Sequence, residues 1–255
     1  MPPEEVLFFS IATNNYLAHW QSQILDVQNA LRELGWKWVL MTDKVDEAEA
    51  FLEQASLGGS VRVVSALPMH FPLASMIRYP AILAHCRSPG WICYMDADMK
   101  IENPEQLDRV IRASTLPTVV AHPGYSRALG DTVTSGIKVL TSHILASWVE
   151  GGNGTWEKRR RSKAFVPRRL RKTYVAGGIF FGPSSDIERL SSNCWEWTEA
   201  DLRQGIVARW HDESYLNRWT AINPHSLVGP EYCFYDFPWL GGLGVVVRAV
   251  DKSKV

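Results

Sequence analysis

A rhythm in the first hundred residues constrains this chain more than anything else in it. Short apolar runs alternate with longer stretches of helical periodicity. "VLFFSIA", Val6 to Ala12, reads as a buried strand. Leu17, Trp20, Ile24, Val27, Leu31 and Leu34 then recur at intervals of three and four, which predicts a helix with one apolar stripe, and Gly35 is a stop signal. "WKWVLMTD" is a second strand, "KVDEAEAFLEQA" a charged helix, and "VRVVSA" a third strand. "SMIRYPAILAHCR" reads as helical from about Tyr79, since Pro80 suits a first turn. "WICYMDADMK", Trp91 to Lys100, is a fourth strand running into two aspartates. This order predicts an α/β chain with a mostly parallel central sheet flanked by helices. Ligands bind such sheets at the carboxyl ends of the strands. Thr13 to Tyr16, Asp43, Asp96 and Asp98 all fall at such ends.

The second half is less regular. "PTVVAHPGY" suggests a strand into a loop at His122, and "IKVLTSHILASWV" a helix within a stretch that is harder to place. "TYVAGGIFFG" is a strand interrupted by a Gly-Gly step. "SSDIERLSSNCWEWTEADLRQG" is a helix capped by Ser184 or Ser185, and "WHDESYLNRW" opens another helical segment. Nothing in the middle reads as a flexible linker, so residues 1–255 are expected to form one domain.

Composition narrows the function. Lysines and arginines balance aspartates and glutamates, which gives no global electrostatic case for nucleic acid or a membrane surface. The N-terminus has acids where a signal peptide needs bases, and no run approaches a membrane span, so a cytoplasmic location is expected. Cys86, Cys93, Cys194 and Cys233 form no CxxC pair and no zinc spacing, and read as buried free thiols. Asn153-Gly154-Thr155 is a glycosylation sequon that only a secreted chain would use. Eleven tryptophans exceed ordinary core needs, and surplus aromatics often line ligand clefts.

Four motifs bear on chemistry. Asp96 and Asp98 are either solvated turn residues or a cation site. Strand alternation would place both on one face, where like charges repel unless a cation bridges them. Hard oxygen ligands favour Mg²⁺ or Mn²⁺, with water and a diphosphate completing the shell. Trp210, His211, Asp212 and Glu213 read as a capped helix start, with Asp212 as cap, or as a sugar site in which the indole stacks on the pyranose and the acids meet its hydroxyls or its anomeric carbon. Gly177-Gly178 marks a bulge or a ligand close to the backbone. A run of nine bases from Glu157 to Lys172 is a solvated loop or a loop that closes on phosphate; few aromatics interleave, so nucleic acid ranks lowest.

The blocks "IATNNY", "SMIRY", "YMDADM", "AHPGY", "TWEKRRRSKAFVP", "YVAGGIFFG", "WHDESYLNRW" and "GPEYCFYD" occur in an order that resembles glycosyltransferase family 6, the family of the histo-blood-group A and B transferases and α-1,3-galactosyltransferase. The resemblance implies a GT-A fold and a retaining α-1,3 transfer of GalNAc or Gal from UDP to a β-galactoside. It implies Mn²⁺, with Mg²⁺ as an alternative, on Asp96 and Asp98. Ile11, Ala12, Thr13 and Tyr16 match the uridine segment, Arg78 the arginine beside the donor, and Ala176, Gly177 and Gly178 the donor-selecting stretch. A small last residue there favours GalNAc. Asp212 matches a donor-sugar contact and Glu213 the catalytic carboxylate. His122, Thr155, Trp210, His211 and Asp236 match acceptor contacts. The Arg159–Lys172 run is expected to close over the donor. The segment between His122 and Thr155 is longer than in the animal enzymes, and their anchor and stem have no counterpart, which fits a soluble microbial or viral member or a trimmed chain. The rival readings are a GT-A transferase for another UDP-sugar and a catalytically idle carbohydrate-binding protein.

Overall fold

A computed structural model describes residues 5–69, 72–125, 154–237, 240 and 244–250. The stretch "IKVLTSHILASWV" and Asn153 of the sequon lie outside the described residues. The first four expected strands are present: β1 (Val6–Ile11), β2 (Lys37–Thr42), β3 (Val61–Ser65) and β4 (Trp91–Met95). Their mutual pairings are all parallel. The sheet continues through β6 (Thr118–Ala121), β7 (Val175–Pro183) and β8 (Ser226–Val228), in the order β3-β2-β1-β4-β7-β6-β8. Strand β7 alone is reversed, antiparallel to both β4 and β6. A small separate ribbon pairs β5 (Met99–Ile101) with β9 (Val247–Ala249).

Helices cover both faces, which is why the central strands are continuously apolar rather than alternating. Val6 and Phe8 point into one core, under α1 (Tyr16–Asp26), α2 (Gln28–Glu33), α3 (Val45–Gln54) and α6 (Pro104–Ala113). Leu7 and Phe9 point into the other, under α5 (Arg78–His85), α7 (Ser184–Leu202) and α8 (His211–Thr220); a short helix α4 (Leu73–Met76) precedes α5. Among the described residues, most tryptophans pack in or against these two cores or a smaller buried cluster around Tyr174 rather than in a cleft. Trp20, Trp36, Trp38, Trp156 and Trp219 are fully buried, and Phe8 stacks on Trp38 at 4.7 Å. The four cysteines are buried free thiols. Among the described residues, no helix is long and apolar enough to cross a membrane.

Three local expectations are corrected. The stripe from Leu17 to Leu31 is buried as one face, but two helices carry it. The backbone leaves helical geometry at Val27 (φ −108°, ψ 12°), and the Leu31 amide bonds the Val27 carbonyl across the break. Gly35 does end the stripe, at φ +66°. Neither Ser184 nor Ser185 caps α7: Pro183 holds that position, and the Ser184 hydroxyl instead donates to the Gly90 carbonyl. Asp96 and Asp98 are not strand residues, because β4 ends at Met95 and a turn closed by Met99 N–H to Asp96 C=O carries the pair.

The basic run is not a loose loop. Buried Glu157 accepts from the Arg159 backbone and side chain and from the Arg209 amide. Fully buried Asp201, near the end of α7, accepts from the Ser162 hydroxyl (2.6 Å), the Lys163 amide (2.7 Å) and the Tyr215 hydroxyl (3.0 Å). Asp201→Ala strands these donors, at a cost of about 2–4 kcal/mol. It is expected to lower the thermal midpoint by roughly 5–12 °C and to speed tryptic cleavage within 158–172. A wild-type melting curve and digestion rate would refute the pinning.

Candidate active site

The carboxyl ends of β1 and β4, the start of α8 and the Gly177-Gly178 step of β7 enclose a cleft of about 420 Å³. That size suits a small-molecule ligand. Its centre is Arg78, near the start of α5 and only 4 % exposed. The guanidinium donates to the Gly177 carbonyl and to Asp96 Oδ1 (3.2 Å) and is ion-paired with Asp212 Oδ2 (3.0 Å). Its Nε–H donates to the Ser75 carbonyl, and its plane lies 4.4 Å over the Tyr94 ring. Burial pulls the Arg78 pKa down, but Asp212 leads the groups that outweigh it, and the net shift is upward.

The Tyr94 hydroxyl donates to the same Asp96 Oδ1 at 2.5 Å. Asp96 and Asp98 both line the cleft, so the turn after β4 brings together what strand alternation was expected to bring together. A Cβ at Gly178 would lie 3.2 Å from Asp96 Oδ2, which keeps that position small. Among the described residues, no three His, Cys, Asp or Glu side chains gather to hold a metal. The pair offers hard oxygens at the rim of an open cleft. That donor set fits Mg²⁺ or Mn²⁺ when a ligand supplies the remaining positions.

Helix α8 brings the second pair of acids. It begins after a kink in which His211 adopts φ +43°, a conformation costly for a non-glycine residue and typical of functional turns. Asp212 does not cap the helix; Trp210 holds the cap position, and Asp212 is buried against Arg78. The Tyr79 hydroxyl donates to the Asp212 carbonyl at 2.9 Å. Glu213 Oε2 accepts from the Gly177 amide (2.9 Å) and Oε1 from the Tyr174 hydroxyl (2.8 Å). Asn217, one turn on, clamps the helix to β7: its amide oxygen accepts from Val175 N–H, and its NH₂ donates to Val175 C=O and Glu213 C=O.

The Gly-Gly step makes this approach possible. From Val119 to Ala121 of β6 the partner moves from Phe180 to Val175 of β7, so the excess length falls at Ala176–Ile179. Of the two readings of the glycines the bulge is realised, and the groups that come close to the backbone there are protein carboxylates. A Cβ at Gly177 would sit 3.1 Å from Glu213 Cβ and 3.2 Å from Asp212 Oδ2.

The other expected site residues divide. Ile11, Thr13, Tyr16, Trp210 and His211 line the cleft. Ala12 does not: it is fully buried, and its backbone bonds the Met41 carbonyl and the Thr42 hydroxyl. Ala176 is also buried, beneath its glycine neighbours. His122 and Thr155 do not line the cleft but gather around Tyr174, where His122 packs at 5.7 Å from the Tyr174 ring and Thr155 accepts from the Tyr125 hydroxyl. Burial pushes His122 down to about 4, so it is neutral at physiological pH. Asp236 is exposed on the ribbon side and paired with Arg248 at 2.7 Å. No residue of the basic run lines the cleft. Tyr94, Tyr174 and Asn217 were not anticipated, whereas Asn14 belongs to the Thr13–Tyr16 stretch expected at this edge and lines the cleft. Asn14, at φ +57°, donates its backbone N–H to Asp43 Oδ1 and its side-chain NH₂ to Met69 C=O.

Electrostatics follow from enclosure. Burial pushes Asp212 up to about 7 against the pull of Arg78. Burial likewise raises Glu213, against the Gly177 and Tyr174 hydrogen bonds. Asp212 starts from an ordinary 3.8 when unfolded, so its folded value is raised. Its contribution to stability is full below about pH 4 and is lost as pH climbs through about 7. Asp212→Asn should flatten the fall in unfolding free energy across that window. Urea titrations at several pH values check this, and equal slopes in both proteins would contradict it.

Comparison with known proteins adds a lineage. The profile described as Glycosyltransferase family 6 matches residues 131–252. Rat "Histo-blood group ABO system transferase 1" is 38 % identical over 79 residues, 31 % of this chain and 23 % of that protein. Chicken "Globoside alpha-1,3-N-acetylgalactosaminyltransferase 1" is 33 % identical over 180 residues, 69 % of this chain and 42 % of its own length. The human protein of the same name is 28 % identical over 190 residues, 70 % of this chain and 47 % of that one. The matched part thus spans less than half of each of these relatives.

Proposed function

Since this chain belongs to glycosyltransferase family 6 and has the α/β GT-A architecture of that family, we propose that it transfers GalNAc, or Gal, from a UDP-sugar to a β-galactoside in α-1,3 linkage with retention of anomeric configuration. The observation that carries this reading is the convergence of two acid pairs, Asp96 with Asp98 and Asp212 with Glu213, on one cleft around a single buried arginine.

Asp96 and Asp98 would hold Mn²⁺ or Mg²⁺, which when bound neutralises a diphosphate leaving group. Ile11, Thr13 and Tyr16, at the end of β1, form the wall suited to a uridine. Arg78 is poised between Asp96 and Asp212, where its charge can follow the leaving phosphate. Glu213 is held with both oxygens fixed beside the Gly177 backbone. Positive charge developing at an anomeric carbon above that step would be met by this carboxylate, either through space or by a short-lived bond. Gly178 is the small residue at the last position of the stretch that matches the family's donor-selecting segment, and by that resemblance it favours GalNAc. Trp210, 45 % exposed at the cleft mouth, offers an indole face for the acceptor galactose.

A donor panel of UDP-GalNAc, UDP-Gal, UDP-Glc and UDP-GlcNAc with Mn²⁺, against lactose and 2'-fucosyllactose, tests the reading. UDP-GalNAc is expected to lead. Glu213→Gln is expected to lower turnover by a factor on the order of 10³ while UDP binding by calorimetry persists. Full turnover in that variant would exclude the mechanism. Activity that survives thorough chelation would remove the metal from Asp96 and Asp98.

A further inference from the structure

We infer that Tyr174 is a positioning residue for Glu213: its hydroxyl sets the plane of the carboxylate that faces the cleft. This rests on the reading of Glu213 given above. The terminal torsion of a glutamate is broad, so packing of the aliphatic stem does not by itself orient the two oxygens. Something must hold each of them. Oε2 is held by a main-chain donor, the Gly177 amide. Oε1 is held by Tyr174, the side chain that supplies the second donor among the described residues.

Tyr174 is built to deliver that hydroxyl. It is 1 % exposed. Trp156 packs on its ring edge-on at 5.1 Å and 90°, Tyr125 at 5.2 Å and 77°, and His122 at 5.7 Å and 62°. Gly154 closes the remaining side. It adopts φ +149°, and a Cβ there would fall 2.5 Å from the ring. The ring therefore has one seat. The main chain is fixed as well: Tyr174 C=O accepts from His122 N–H at 3.0 Å, and the next residue, Val175, is clamped by Asn217 on the same helix as Glu213. Two independent ties thus join Tyr174 and Glu213, one through the hydroxyl and one through Asn217.

A buried phenol needs a partner in any case, so a purely structural role must be separable. Besides Tyr174, the titratable groups that bear on Glu213 are Arg78 from α5, Asp96 after β4, Asp212 beside it and the buried Cys233 thiol. None of these changes when a phenol becomes a phenyl. Tyr174→Phe is expected to lower kcat about tenfold, with donor and acceptor KM within about twofold. It should also move the acid limb of the kcat profile upward by about one pH unit, because the ionised carboxylate loses a donor. Replacement of Tyr174 by 3-fluorotyrosine keeps the shape and strengthens the donor, so the limb should move down. It also decides the matter should the phenylalanine variant fail to fold.

Glu213→Gln, assayed alongside, separates the two ideas. If that variant is dead while both Tyr174 replacements keep wild-type kcat and acid limb, Tyr174 is a packing residue and the inference falls alone. If Glu213→Gln turns over normally, the assignment of Glu213 falls first and takes the inference with it.

Discussion

A single buried cation organises this molecule's functional edge. Arg78 is almost wholly buried, so its guanidinium must find acceptors in the protein. It finds them on three elements that the sequence keeps far apart: the turn after β4, the bulge of β7 and the start of α8. Each contact also does something for the other party. Asp96 and Asp212, two acids in one small space, are kept from repelling each other through a shared counter-charge. The Gly177 carbonyl, freed from regular pairing by the bulge, gains a donor. Take away the positive charge and the cleft becomes a crowd of carboxylates around an unsatisfied backbone group.

The frame was legible because it rests on periodicity. Alternating apolar runs and helical stripes in the first hundred residues account for β1 to β4 and the helices between them, and those four strands are parallel as expected. The cleft was legible to the same degree, since the ends of parallel strands fall on one edge by construction. Less legible was everything decided by contact between distant segments. Nothing local in "TYVAGGIFFG" says that β7 runs against its neighbours. Nothing in "WICYMDADMK" says that the strand stops at Met95 and that a turn aligns the acids. The tryptophans misled in a similar way. An aromatic count cannot distinguish core from cleft, and here five of them are fully buried in the packing.

Site residues were found where a motif was dense and missed where one side chain acts through another. Asp96, Asp98, Asp212 and Glu213 stand out as charges beside apolar runs. Tyr94 and Tyr174 look like ordinary strand aromatics, yet each puts a hydroxyl on one of those carboxylates. Ala12, Ala176 and Asp236 were named because they sit inside matching blocks, and the fold puts two of them under the surface and the third on the ribbon. A block match assigns a neighbourhood; which member of it faces the ligand is settled by the pleat and by bulges.

The clamp made by Asn217 has an architectural corollary. A helix that merely lies on a sheet takes its height and rotation from the loop that leads into it. Helix α8 does not, because Asn217 pairs with Val175 much as a neighbouring strand would, and Gly177 admits the helix start to within touching range. The chain between α7 and α8, residues 203–210, is thereby relieved of the job of aiming the acids. Length and composition can drift there, and the mouth of the cleft can be remodelled for new partners, while the chemistry behind it stays in register.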